Sequence, residues 1–172
     1  IMAHAISKVW PKARFGIGPT IENGFYYDVD LEGVKLTPED LPKIENVMKN
    51  VIKENAPFIR TEHPIDGAIE HFKSIGQNFK VEIIQTLKNN GETKVSTYAE
   101  GAFTDLCRGP HVAKAGDVGL AFKLTSVAGA YWRGKETNPM LTRIYGVLFE
   151  TQAELDEYVH FQEEAKKRDH RK

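Results

Sequence analysis

The chain has 172 residues, a net charge of −1 at pH 7 and one cysteine. That length suits one domain, or one and a fraction, and the near-neutral charge leaves any nucleic-acid contact to a local basic cluster. The single cysteine excludes an internal disulfide framework and fits a reducing compartment such as the cytoplasm. No apolar run is long enough to cross a bilayer, and the opening residues do not read as a secretory leader. Both ends read as cut from something longer, since the chain opens inside a helical pattern and closes on a charge-rich one.

Met2, Ile6, Val9 and Trp10 recur at helical spacing until Pro11. His4 falls on the opposite face of that helix, which predicts a solvated position. Arg14 to Asp30 reads as two strands around a turn at Glu22-Asn23-Gly24. Tyr27 and Asp28 lie in the second strand, where packing or a cleft can claim them. Thr37-Pro38-Glu39-Asp40 reads as a helix start, with an N-cap, a first-turn proline and two acids. Leu41, Ile44, Met48, Val51 and Ile52 form the buried stripe of a helix reaching about Asn55.

Phe58 to His63 alternates as a short strand, and Pro64 to Ile75 reads as a helix capped by Gly76. Asn78 to Leu87 fits a helix better than a strand. There Lys80 points away from the main stripe, as a surface lysine does. Lys94 to Tyr98 and Ala102 to Cys107 read as a strand pair. Leu120 to Leu124, Ala128 to Arg133 and Met140 to Leu148 read as three more strands. Thr151 opens a last helix. Strands in runs, with few alternating helices, predict an α+β fold: an antiparallel sheet packed with helices.

Asp105-Leu106-Cys107-Arg108-Gly109-Pro110-His111 puts the only cysteine four residues before a histidine. Gly109 and Pro110 rule out a regular helix between them. A strand turning into a tight loop there can aim a thiol and an imidazole into one cleft. The bland alternative is a buried cysteine and a surface histidine joined by a turn.

With Ala128-Gly129-Ala130-Tyr131-Trp132-Arg133-Gly134 and Arg143-Ile144-Tyr145-Gly146, that loop resembles threonyl-tRNA synthetase, in its second N-terminal domain. Ile17-Gly18-Pro19, Asn23 to Asp28 and the closing Lys167 to Lys172 resemble the same family. The Cys-x-x-x-His half-site also occurs in alanyl-tRNA synthetases and their free-standing editing relatives. The resemblance implies an editing domain over residues 1–150, with a smaller Cys-His-bearing subdomain at about 98–148. Residues 151–172 would be a linker helix toward an aminoacylation core. The implied task is hydrolysis of serine wrongly esterified to threonine tRNA. A missing methyl is worth only about 1–3 kcal/mol in a pocket, so a second site must destroy the smaller product.

By resemblance, Lys80, Cys107, His111 and Asp105 are catalytic, and Tyr27, Asp28, Arg108 and His4 contact substrate. The family also carries His-x-x-x-His on the first helix. Its register is taken to fall before Ile1, which leaves His4 a neighbour of the site rather than one of that pair. Zinc held by Cys107 and His111 is disfavoured, and editing is expected to need no metal or cofactor. ATP and zinc belong to the aminoacylation core. The implied partners are the 3′ acceptor end of threonine tRNA and its seryl ester, with no membrane and a homodimeric parent. Arg108, Lys123, Arg133, Lys135 and Arg143 are candidate RNA contacts, and Tyr131 and Trp132 can stack a base or fill the core. The alternatives are a catalytically silent tRNA-binding module, a free-standing editing factor, or a Cys-His thiol hydrolase.

Overall fold

The computed structural model describes residues 1–170 and has an α+β architecture in which two antiparallel sheets face one cleft. The expected linker helix and the closing motif run to Lys172, and their last two residues lie outside the described residues. No described helix is long and apolar enough to cross a membrane.

The larger sheet has β1 (Arg14–Phe15) and β2 (Thr20–Ile21) along one edge of β3 (Gly24–Asp30), followed by β8 (Met140–Leu148) and β7 (Phe122–Tyr131). The first of the two strands expected over Arg14 to Asp30 is therefore broken in two. Gly18 and Pro19 lie at the break, but pairing continues across it: Asp28 N–H donates to the Ile17 carbonyl at 2.9 Å. Gly18 also has to be a glycine, because a Cβ there would overlap the Tyr27 ring.

The three strands expected between Leu120 and Leu148 are two. Residues 122–131 form one strand, whose register slips between Leu124 and Ser126. That bulge absorbs the polar Thr125-Ser126 pair, which reads as a break in a linear pattern. Trp132 to Gly134 then form a single 3₁₀ turn leading to β8.

Two helices cover the inner face of this sheet, α1 (Met2–Val9) and α2 (Leu41–Glu54). The Thr37-Pro38 start holds: Thr37 N–H donates to the Asp40 carboxylate at 2.9 Å, and a 3₁₀ turn precedes α2. Val29 and Ile144 of the sheet, Ile6 of α1 and Ile44 of α2 meet in one core. The first part of α1, Met2 to Ile6, is buried all round, because a second layer of protein lies behind it. His4 is accordingly 5 % exposed, and its expected solvated position is wrong.

The smaller sheet orders β4 (Phe58–Pro64), β5 (Lys94–Glu100) and β6 (Phe103–Leu106). Val95 and Leu106 pack from it against α3 (Ile65–Ser74) and α4 (Asn78–Asn89). The opposite face, through Ser96, Tyr98, Glu100 and Asp105, lines the cleft. Helix α5 (Gln152–His170) is anchored by Leu155 against Ala121 and Val147.

Candidate active site

The cleft encloses about 1050 Å³ between the two sheets, with the start of α1 and one face of α4 at its sides. Strand alternation places its residues. In β3 Tyr27 points inward while its neighbours Tyr26 and Asp28 face the other side. In β6 Asp105 faces the cleft while Leu106 joins the helical core.

Lys80 comes from α4 and is 4 % exposed, which overturns its reading as a surface lysine. The apolar stripe of α4 is split between two cores, Phe79 with Trp132 and Ile84 with Phe72, and Lys80 falls in the gap facing the cleft. Its ammonium donates to the Tyr27 hydroxyl at 2.8 Å and pairs with Asp105 Oδ1 at 2.9 Å. The Tyr27 hydroxyl donates in turn to Asp105 Oδ2 at 2.6 Å. Burial, reinforced by the Asp105 charge, holds the Tyr27 phenol well above its ordinary pKa, so it stays a donor. Two of the three Lys80 donors are thereby used, and one is left.

Beyond Asp105 the chain turns. Cys107 N–H donates to the Ser96 carbonyl at 3.1 Å, and Ser96 Oγ donates back to the Cys107 carbonyl at 2.5 Å. This double tie fixes the loop to β5. Gly109 N–H donates to Cys107 Sγ at 3.3 Å, and His111 Nδ1 lies 3.8 Å from the same sulfur. The imidazole lies flat on Tyr98 and meets Phe58 edge-on. Burial lowers its pKa, opposed by a weaker backbone bond at Pro110, so the ring is neutral near pH 7.

Lys80, Tyr27, Asp105, Cys107, His111 and His4 therefore share one cleft. His4, set aside from the histidine pair by register, is inside it. Arg108 stands at the rim with its side chain 82 % exposed, 4.0 Å from Glu92. Asp28 is elsewhere: it accepts two bonds from Arg143, at 2.7 and 2.9 Å, on the outer face of the sheet. Those bonds raise the pKa of Arg143. Trp132 is core, its Nε1 donating to Glu82 at 3.0 Å. Sequence reasoning missed Ser96, Tyr98 and Glu100. Their spacing of two, in the strand opposite Asp105, is the signal that assigns them to its face.

Cys107 and His111 are a soft donor and an imidazole, but zinc sites take three or four protein ligands. Among the described residues no group of three or more His, Cys, Asp or Glu side chains is placed to hold a metal.

A family model described as "Threonyl and Alanyl tRNA synthetase second additional domain" matches residues 95–145. The whole chain aligns with a threonine--tRNA ligase of Clostridioides difficile at 54 % identity over 172 residues, covering 26 % of that protein. A threonine--tRNA ligase of Agrobacterium fabrum is 50 % identical over 172 residues, 25 % of its length. One of Thermotoga maritima is 52 % identical over 174 residues, 26 % of its length. The chain thus spans about a quarter of the length of the curated relatives it matches. It belongs with the threonyl-tRNA synthetases, as the segment that contains their second additional domain.

Proposed function

We propose that this chain removes serine from mischarged threonine tRNA by hydrolysing the ester at the terminal ribose. The observation that carries the reading is the convergence of Lys80, Asp105 and Tyr27 with the Cys107–His111 pair in one cleft. Alignment of the chain, end to end, with threonine--tRNA ligases supplies the tRNA.

Water adds to the ester carbonyl, giving a tetrahedral oxyanion. Collapse expels the ribose oxygen, which takes a proton and leaves as the hydroxyl, with serine released as the free acid. The remaining Lys80 donor faces the developing negative charge, and a preorganised donor of this kind is worth roughly 10²–10³ in rate. Neutral His111 takes a proton from the water and returns it to the leaving oxygen. Asp105 holds Lys80 in place through its carboxylate. Arg108 at the rim meets backbone phosphate. Residues 1–150 act as the editing unit and the last helix leads toward the rest of a cytoplasmic, homodimeric synthetase. Cys107 orients His111 and needs no covalent step, because an activated ester yields to a placed water.

The test is deacylation of seryl-tRNA for threonine, with threonyl-tRNA as control. It is run on this chain and on one extended about ten residues upstream. Faster loss of serine than threonine by either chain is expected. Binding of tRNA by both without hydrolysis by either would leave a binding module.

A further inference from the structure

Glu100 is the last residue of β5, 3 % exposed, at the foot of the cleft wall. A buried carboxylate ordinarily collects several donors. Among the described residues this one has none: both oxygens are sealed from solvent without a hydrogen-bond partner. What faces it is His4, whose Nδ1 lies 3.0 Å from Oε2. The approach is off the line of a formed hydrogen bond, and among the described residues Nδ1 has no other hydrogen-bond partner. His4 is thus the side chain placed to match the carboxylate, and a buried polar group left unmatched is costly. The ring plane is already set, since Phe103 stacks on the imidazole at 5.6 Å with planes 9° from parallel. His4 Nε2 is not among the sealed unpartnered atoms, and His4 lines the cleft.

We propose that Glu100 is a positioning residue: it accepts a hydrogen bond from Nδ1–H of His4 and so leaves Nε2 as a free acceptor toward the cleft. An imidazole carries its proton on the nitrogen whose partner demands it, so the carboxylate chooses the tautomer. In the cleft, an unprotonated Nε2 accepts a hydrogen bond from the attacking water or from a substrate hydroxyl. Only this last, kinetic half rests on the hydrolase reading.

The experiment is ¹⁵N NMR of the His4 ring in this chain at pH 8, with kinetics of seryl-tRNA deacylation alongside. Wild type is expected to show a protonated Nδ1 and an unprotonated Nε2. Glu100→Leu should move the proton to Nε2 and lower kcat roughly tenfold to a hundredfold with KM little changed, as misplacement of a reacting group does. Glu100→Gln keeps an acceptor and should restore part of both signals, which a packing role would not produce. A protonated Nε2 in wild type overturns the proposal, and that spectrum needs no variant to fold. So does an unchanged tautomer in both variants, or an unchanged kcat in a folded Glu100→Leu protein while wild type hydrolyses. If the ring behaves as expected and wild type hydrolyses nothing, the hydrolase reading falls and the Glu100–His4 pairing stands.

Discussion

His111 lies face to face on Tyr98, with centroids 4.0 Å apart and planes 9° from parallel, and the Tyr98 hydroxyl fills the space that a side chain at residue 109 would occupy. The loop is therefore pressed onto β5 by one aromatic ring from two directions. Gly109 also has φ +81°, a conformation costly to any residue with a Cβ. Gly109→Ala should destabilise the chain by about 1–3 kcal/mol in urea unfolding. It should slow deacylation about a hundredfold through displaced Cys107 and His111. A variant with wild-type rate would show that the loop geometry is irrelevant to the chemistry.

Acidification should act through His111. Burial lowers its pKa in the folded chain, so the unfolded chain binds its proton at higher pH. Stability from this group is complete above the ordinary imidazole range and declines as pH falls through that range toward the folded value. Deacylation should be flat at alkaline pH and fall in acid with a midpoint below the free imidazole value. His111→Asn should flatten both profiles in that window. An acid midpoint above the free value would contradict the neutral-ring assignment.

Lys80→Ala leaves Asp105 without its counter-charge and Tyr27 without its donor. The expected loss is about 3 kcal/mol, the lower part of the range for breaking a buried pair, because Asp105 is partly solvated. Deacylation should drop about 10²- to 10³-fold. Tyr27→Phe removes the bridging hydroxyl alone and should cost about 1–3 kcal/mol, with Lys80 left less well held. Paired urea titrations and initial rates read both quantities; equal rates in Lys80→Ala and wild type would remove the lysine from the mechanism.

Asp28→Asn should behave differently. The carboxylate is buried against Arg143 on the outer sheet face, so its loss should cost about 1.5–3 kcal/mol of stability. The rate of deacylation at a temperature where the chain is folded should barely change. A selective rise in KM would instead return Asp28 to substrate binding.

Much of the fold was legible because single elements carry their own signals. The Thr37-Pro38 helix start, the stripe from Leu41 to Ile52 and the glycine after α3 are local, and each occurs where expected. Positions that depend on a second layer were not legible. His4 has a polar neighbour pattern in one helix, yet Glu100 and Phe103 from the smaller sheet bury it. Lys80 reads as solvent-facing until β3 and β6 bring Tyr27 and Asp105 to it. The strand break expected after Leu124 was a bulge, which a linear polar pair does not distinguish from a turn. The loop from Asp105 to His111 was readable as a unit because Gly109 and Pro110 forbid a helix there. What lies opposite it in β5 was not readable.

Strand β5 divides its labour residue by residue, with Ser96, Tyr98 and Glu100 toward the cleft and Val95 toward the helices. Point changes at the even positions can therefore retune the chamber while the helical core is untouched, and changes at Val95 bear first on the packing against α3 and α4. Insertion or deletion of one residue has the opposite character. It would exchange the two faces at once, sending the valine to the chamber and the carboxylate to the oily side. Across related chains this strand should accordingly tolerate substitution more readily than a change of length.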